Sequence, residues 1–101
     1  MFQVKQVSND EVILAVDGPL AGESAVAFGL QMDDLVATRT SVITLDLSRT
    51  AAINSAVIGK ILMFRKKLVE QQRTLQIRGC SKDLFKTFQM IKFDTLMSIK
   101  P

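Results

Sequence analysis

The chain has 101 residues, the size of one small domain, with 48% apolar and 23% charged residues. That balance supports a buried core and excludes a disordered segment. With no His and a single Cys, a paired-cysteine redox site, a zinc knuckle and any His-dependent triad are excluded, which favours an intracellular binding or regulatory module over an enzyme.

The net charge of +3 is unevenly spread. Residues 1–50 carry Lys5, Arg39 and Arg49 against seven acids, a balance of −4, whereas residues 51–101 carry ten basic side chains against three acids, a balance of +7. Such asymmetry suits a basic face that steers an acidic partner, and Lys-rich solvated helix faces give the same count. Nucleic acid is not an expected partner: the basic residues are not interleaved with aromatics, and six Phe without Trp or Tyr leave little for base stacking. No apolar run approaches the ~18 residues of a membrane span. Met1-Phe2-Gln3-Val4-Lys5 alternates like a strand rather than forming the apolar core of a signal peptide. Cys80 is unpaired, as in a reducing compartment, so a cytoplasmic location is expected.

Residues 2–7 and 11–16 flank the turn-forming Ser8-Asn9-Asp10, and Val12, Leu14 and Val16 recur with period two, predicting a hairpin with one buried face. Asp17-Gly18-Pro19 ends it. From Gly22 to about Thr38 the period is helical, with Ala25, Phe28, Gly29, Met32, Leu35 and Val36 on one stripe and Asp33 and Asp34 off it. Residues 41–47 are β-branched and almost continuously apolar, as in a central strand.

After a loop over 48–53, a second helix is expected from Asn54-Ser55 to about Gln72. Its expected core stripe is Ile58, Ile61, Leu62, Leu68 and Val69, with Lys60, Met63 and Lys67 looking outward as a contact patch or an ordinary solvated face. A short strand over 74–78 ends at Gly79, and Ser81 can cap a third helix with Leu84, Phe85, Phe88 and Ile91 on its apolar face. The tail over 93–99 reads equally as a helical turn or a terminal strand. The order β-β-α-β-α-β-α implies an α/β fold: a mixed sheet of four to five strands with helices packed against it.

The most specific stretch is Ile43-Thr44-Leu45-Asp46-Leu47-Ser48 followed by Ile53-Asn54-Ser55-Ala56-Val57-Ile58-Gly59. It resembles the STAS domain, the family of sulfate transporters and anti-sigma factor antagonists, where a strand ending in Asp-Leu-Ser precedes a helix opened by Asp-Ser-x-Gly. Gly18-Pro19-Leu20 and the run from Leu75 to Ser81 match other parts of that pattern in order. The resemblance covers nearly the whole chain and implies one STAS-like domain over 1–101.

It also implies a non-enzymatic bacterial regulator of transcription and signal transduction, without cofactor or metal. By the resemblance, such a domain is an anti-sigma factor antagonist-like partner switch. Its Ser55 is phosphorylated by a serine kinase that is itself the anti-sigma factor. The implied contact surface is Asn54, Ser55, Ala56, Val57, Lys60, Met63 and Lys67, with Asp46 and Ser48 in support. Read without the family, Asn54-Ser55 is a helix cap and Asp46 a strand-end acid that accepts backbone N–H bonds. Three positions depart from the family pattern: Asn54 stands for Asp, Val57 for Gly, and Ala21 for an acid after Gly-x-Leu. Of these, Asn54 and Ala21 favour the alternative, a constitutive adaptor subunit of a lipid-transport ATPase complex or a signalling scaffold, without phosphorylation.

Overall fold

Alternation along each strand leaves one apolar face, and the helices divide that face among them. In the computed structural model, which describes residues 1–101, the elements are β1 (Phe2–Gln6), β2 (Glu11–Asp17), α1 (Glu23–Val36), β3 (Val42–Arg49), α2 (Ser55–Glu70), β4 (Thr74–Arg78), α3 (Lys82–Met90), a 3-10 turn (Phe93–Thr95) and β5 (Ser98–Lys100). The sheet runs in sequence order, β1-β2-β3-β4-β5, with β1 antiparallel to β2 and every other pair parallel. Because each crossover adds its strand on the same side with the same hand, all three helices fall on one face.

Val12, Leu14 and Val16 of β2, Ile43, Leu45 and Leu47 of β3, and Leu75 and Ile77 of β4 make the sheet half of the core. Ala25, Phe28, Met32 and Leu35 of α1, Val57, Ile61, Phe64 and Leu68 of α2, and Leu84 and Phe88 of α3 make the other half. Each fully buried Leu or Phe stabilises the fold by about 1.5–3 kcal/mol relative to exposure. The opposite face of the sheet carries no helix and satisfies itself. There the Thr44 hydroxyl donates to Glu11 Oε2 (3.0 Å) and accepts from Gln76 Nε2 (2.8 Å), tying three strands together. No helix is long and apolar enough to cross a membrane.

The expected element order is found, with one addition and two corrections. Both readings of the tail hold: Phe93 enters the core and stacks on Phe88 with centroids 5.7 Å apart, and Ile99 then pairs with Ile77 as β5 extends the sheet. A three-residue strand is too short to declare a period. The core stripe of α2 is Val57, Ile61, Phe64 and Leu68, not the stripe through Ile58, Leu62 and Val69; Leu62 is 43% and Val69 50% exposed. The two stripes share Ile61 and Leu68, and the helix is apolar around more than half its girth, so periodicity alone allows either phase. The larger Phe64 side chain decides it. On α3, Ile91 lies past the helix end and is exposed rather than part of the apolar face.

One side chain ties the layers at their far end. α1 ends without a basic residue in its last turn. Arg73, only 8% exposed, supplies the missing donors from just before β4. Its guanidinium donates to the carbonyls of Leu35 (3.0 Å), Val36 (2.9 Å) and Thr40 (2.7 Å) and to the Thr38 hydroxyl (3.0 Å). The charge therefore sits at the negative end of the helix dipole, and the terminal carbonyls are satisfied. Arg73→Met keeps the apolar stem and takes their side-chain donor from the Val36 and Thr40 carbonyls, and should cost about 2–4 kcal/mol in urea unfolding. A loss under about 0.5 kcal/mol, the size of an ordinary surface change, would contradict the clamp.

Candidate functional site

The start of α2 is held by two loops sewn to each other. The Gly18 N–H donates to the Arg49 carbonyl (3.0 Å) and the Leu20 N–H to the Ala52 carbonyl (3.1 Å). The Thr50 hydroxyl donates to the Val16 carbonyl (3.1 Å), and Leu20 and Ile53 form an isolated parallel bridge. Leu20 and Thr50 are both buried. Gly18 and Gly22 adopt positive φ, a backbone region open to glycine at little cost, and let the first loop fold back against the second. The Ser24 hydroxyl closes that loop: it accepts from the Ala21 N–H (3.0 Å) and lies 2.9 Å from the Pro19 and Ala21 carbonyls.

On this base Asn54 caps α2. Its backbone is extended, and its Oδ1 accepts from the Val57 N–H at 2.9 Å. Ser55, the first helical residue, is exposed and takes no part in the cap. The first turn holds no acidic residue, so the positive end of the helix dipole meets no local counter-charge. Ala56, exposed, follows it, and Lys60, Met63 and Lys67 continue along the same flank. With Gly29, Met32 and Asp33 of α1 they line a groove of about 490 Å³ between the two helices. Lys67 reaches Asp33 across it at 3.7 Å, an exposed pair of small energetic weight.

The structure places the expected site residues in three different surroundings. Ala56, Lys60, Met63 and Lys67 line the groove, and Asn54 and Ser55 are exposed at the start of the same helix. Val57, expected at the contact surface, is fully buried in the core. A branched apolar residue suits that place, so its departure from the family's glycine is a packing choice. Asp46 and Ser48 lie on the helix-free face of the sheet, lining a polar hollow of about 400 Å³ with Lys5, Ala15, Asp17 and Arg49. They are not brought into the groove. Asp17 pairs with Arg49 at 3.7 Å, so neither strand-end acid is left uncommitted.

Asp46 Oδ1 accepts from the Ser48 N–H at 3.0 Å. Burial pushes its pKa up, but the Ser48 N–H and hydroxyl and the charges of Arg78 and Arg49 outweigh that and hold the carboxyl below its ordinary value. Gly79, with φ of 76°, is required beside it: a β-carbon there would stand 3.0 Å from the Ser48 Cβ and 3.1 Å from Asp46 Oδ1. Sequence reasoning missed the α1 side of the groove. Gly29 was expected in the core stripe and Asp33 simply in solvent.

A two-layer α/β domain with a sewn double loop and an exposed serine opening its second helix is the architecture these features define. The family model described as "Mlab, STAS domain" matches residues 4–98, and the chain belongs to the STAS domain family. Among solved structures, a putative anti-sigma factor antagonist from Thermotoga maritima is similar with a TM-score of 0.89 and 22% identity, over 99% of this chain and 86% of that one. The Bacillus cell fate determinant SpoIIAA in its phosphorylated form is similar with a TM-score of 0.78 and 17% identity, over 98% and 90%. A sulfate transporter family protein from Wolinella succinogenes is similar with a TM-score of 0.78 and 15% identity, over 95% and 80%. At these identities the likeness is one of fold. Comparison with curated proteins gives no match.

The lowered Asp46 pKa makes a signed prediction. A carboxyl whose folded pKa is depressed contributes stability that is complete above its unfolded value and lost as pH falls through the folded one. The wild type should therefore lose stability more steeply than Asp46→Asn below about pH 4, when urea midpoints are compared down to about pH 2. Parallel acid limbs for the two proteins would contradict the assignment.

Proposed function

We propose that this domain is a non-enzymatic regulatory module that docks a protein partner through the start of α2, and that phosphorylation of Ser55 switches the docking. The partner by this reading is an anti-sigma factor with serine kinase activity. The observation that carries it is the division of labour at the helix start: Asn54 makes the cap bond, and the Ser55 side chain stays exposed and outside it. A phosphate there would bring about 1.5–2 negative charges to the positive end of a helix, so it would alter a docking surface without unfolding it. That SpoIIAA, with the same fold, exists in a phosphorylated form supports the reading.

A second reading keeps the docking and drops the switch. Asn54 in place of an acid, and Ala21 where the family often has one, remove negative charge that a kinase could recognise. They favour a constitutive adaptor of a lipid-transport ATPase complex. The sulfate transporter family protein shows that the same fold also occurs in a transporter family.

Phosphosite mapping of the protein from its native cells, paired with capture by wild-type and Ser55→Asp baits, separates the two. The switch predicts phosphate on Ser55 and at least about tenfold less partner on the Ser55→Asp bait. An unmodified Ser55 and equal capture of an ATPase by both baits would leave the adaptor reading.

A further inference from the structure

The helices α1 and α2 lie side by side and start level with each other. Asp17 of β2 pairs in register with Arg49 of β3, Leu20 bridges Ile53, and the two helices open at Glu23 and Ser55. Each residue of α1 therefore stands close to the level of the residue 32 places later on α2. The Asp33–Lys67 pair, at 3.7 Å, keeps the helices near that level towards their far ends.

Opposite its buried stripe, α1 turns Glu23, Val26, Leu30 and Asp34 to solvent, at i, i+3, i+7 and i+11. Opposite its own stripe, α2 turns Ser55, Gly59, Leu62 and Lys66 outward, at i, i+4, i+7 and i+11. Every one of these residues is exposed, Val26 and Leu30 at 60% and 62%. Lone exposed apolar residues are ordinary, but Val26, Leu30 and Leu62 share the outward side of one helical layer and mark an interaction surface.

The two helices carry opposite charge. α1 has Glu23, Asp33 and Asp34 and no basic residue, a balance of −3. α2 has Lys60, Arg65, Lys66 and Lys67 against Glu70, a balance of +3. Asp33 and Lys67 pair with each other, which leaves Asp34 and Lys66 without an ion pair.

A surface that is acidic on one half and basic on the other fits its own image turned by a half-rotation about an axis parallel to the helices. That rotation lays α1 of each copy on α2 of the other. A half-rotation about an axis across the helices would instead set α1 on α1, acid against acid. The parallel axis also preserves level. Leu30 then meets Leu62 of the second copy, and Asp34 meets its Lys66. Val26 falls beside Gly59, where an added β-carbon would meet nothing within 4 Å and a facing helix can come close. A foreign partner would need both signs of charge at this spacing, and a second copy carries them already.

We propose that the outward face of α1 and α2 is a two-fold homodimer interface, with Leu30 on Leu62 and Asp34 paired to Lys66 across it. This goes beyond the docking reading above and does not rest on it. The dimer covers the start of α2, so a partner that docks there meets the single chain.

Sedimentation equilibrium of the full chain between about 1 µM and 1 mM tests the proposal. The mass should rise from one chain to two and stop there, because a two-fold contact closes on itself. Leu30→Glu should raise the dimer Kd at least about tenfold, and Asp34→Lys or Lys66→Asp alone about fivefold. The two reversals together should return it to within about twofold of the wild type, since each restores the other's partner. All these positions are exposed, and circular dichroism checks that the variants keep the fold.

A single-chain mass at every concentration, or growth past the dimer, would overturn the proposal. So would a dimer indifferent to Leu30→Glu, or charge reversals that fail to rescue each other. A chain that stays single, and whose Leu30→Glu variant loses a protein captured from native cells, would assign the face to a foreign partner instead.

Discussion

The three central strands β2, β3 and β4 bury the same face, and that single constraint arranges everything else. With the sheet in sequence order and every crossover of one hand, no helix can pass to the other side. Three helices must then share the surface made by the inward residues of β2, β3 and β4. α1 and α2 consequently lie side by side, with both N-termini at the edge where the parallel strands end. Their outer sides are left exposed.

That edge is rigid for local reasons. Parallel strands do not bond directly to the loops that follow them, so loops at their ends are usually free to vary. Here the loop before α1 and the loop before α2 bond to each other through Gly18, Leu20 and Thr50, and the buried Leu20 anchors both. Arg73 performs the matching task at the other end of α1, where it brings a charge from 37 residues along the chain to the Val36 carbonyl.

Much of this was legible in the residues. Period-two runs located the strands, Gly and Pro located their ends, and Asn54 and Ser81 announced two helix starts that the structure caps in just that way. What was not legible depended on three-dimensional competition. The facing side of α2 was ambiguous because too many of its residues are apolar, and Phe64 prevailed over Leu62 and Val69 by packing that no periodicity encodes. Asp46 and Ser48 precede the second helix in sequence, yet strand alternation turns them to the helix-free face, so nearness along the chain did not become membership of the groove. Gly29 looked like a core position because its stripe is buried, and only the arrival of α2 beside it makes it a floor.

The central claim is that a partner covers the start of α2. Hydrogen–deuterium exchange reads this directly, because the amides of Ser55 and Ala56 open a helix, have no intrahelical acceptor, and should exchange quickly in the free chain. In the complex isolated from native cells, these amides should become protected. Protection confined to the helix-free face around Lys5, Gln76 and Arg78, with Ser55 and Ala56 exchanging as fast as before, would contradict the account.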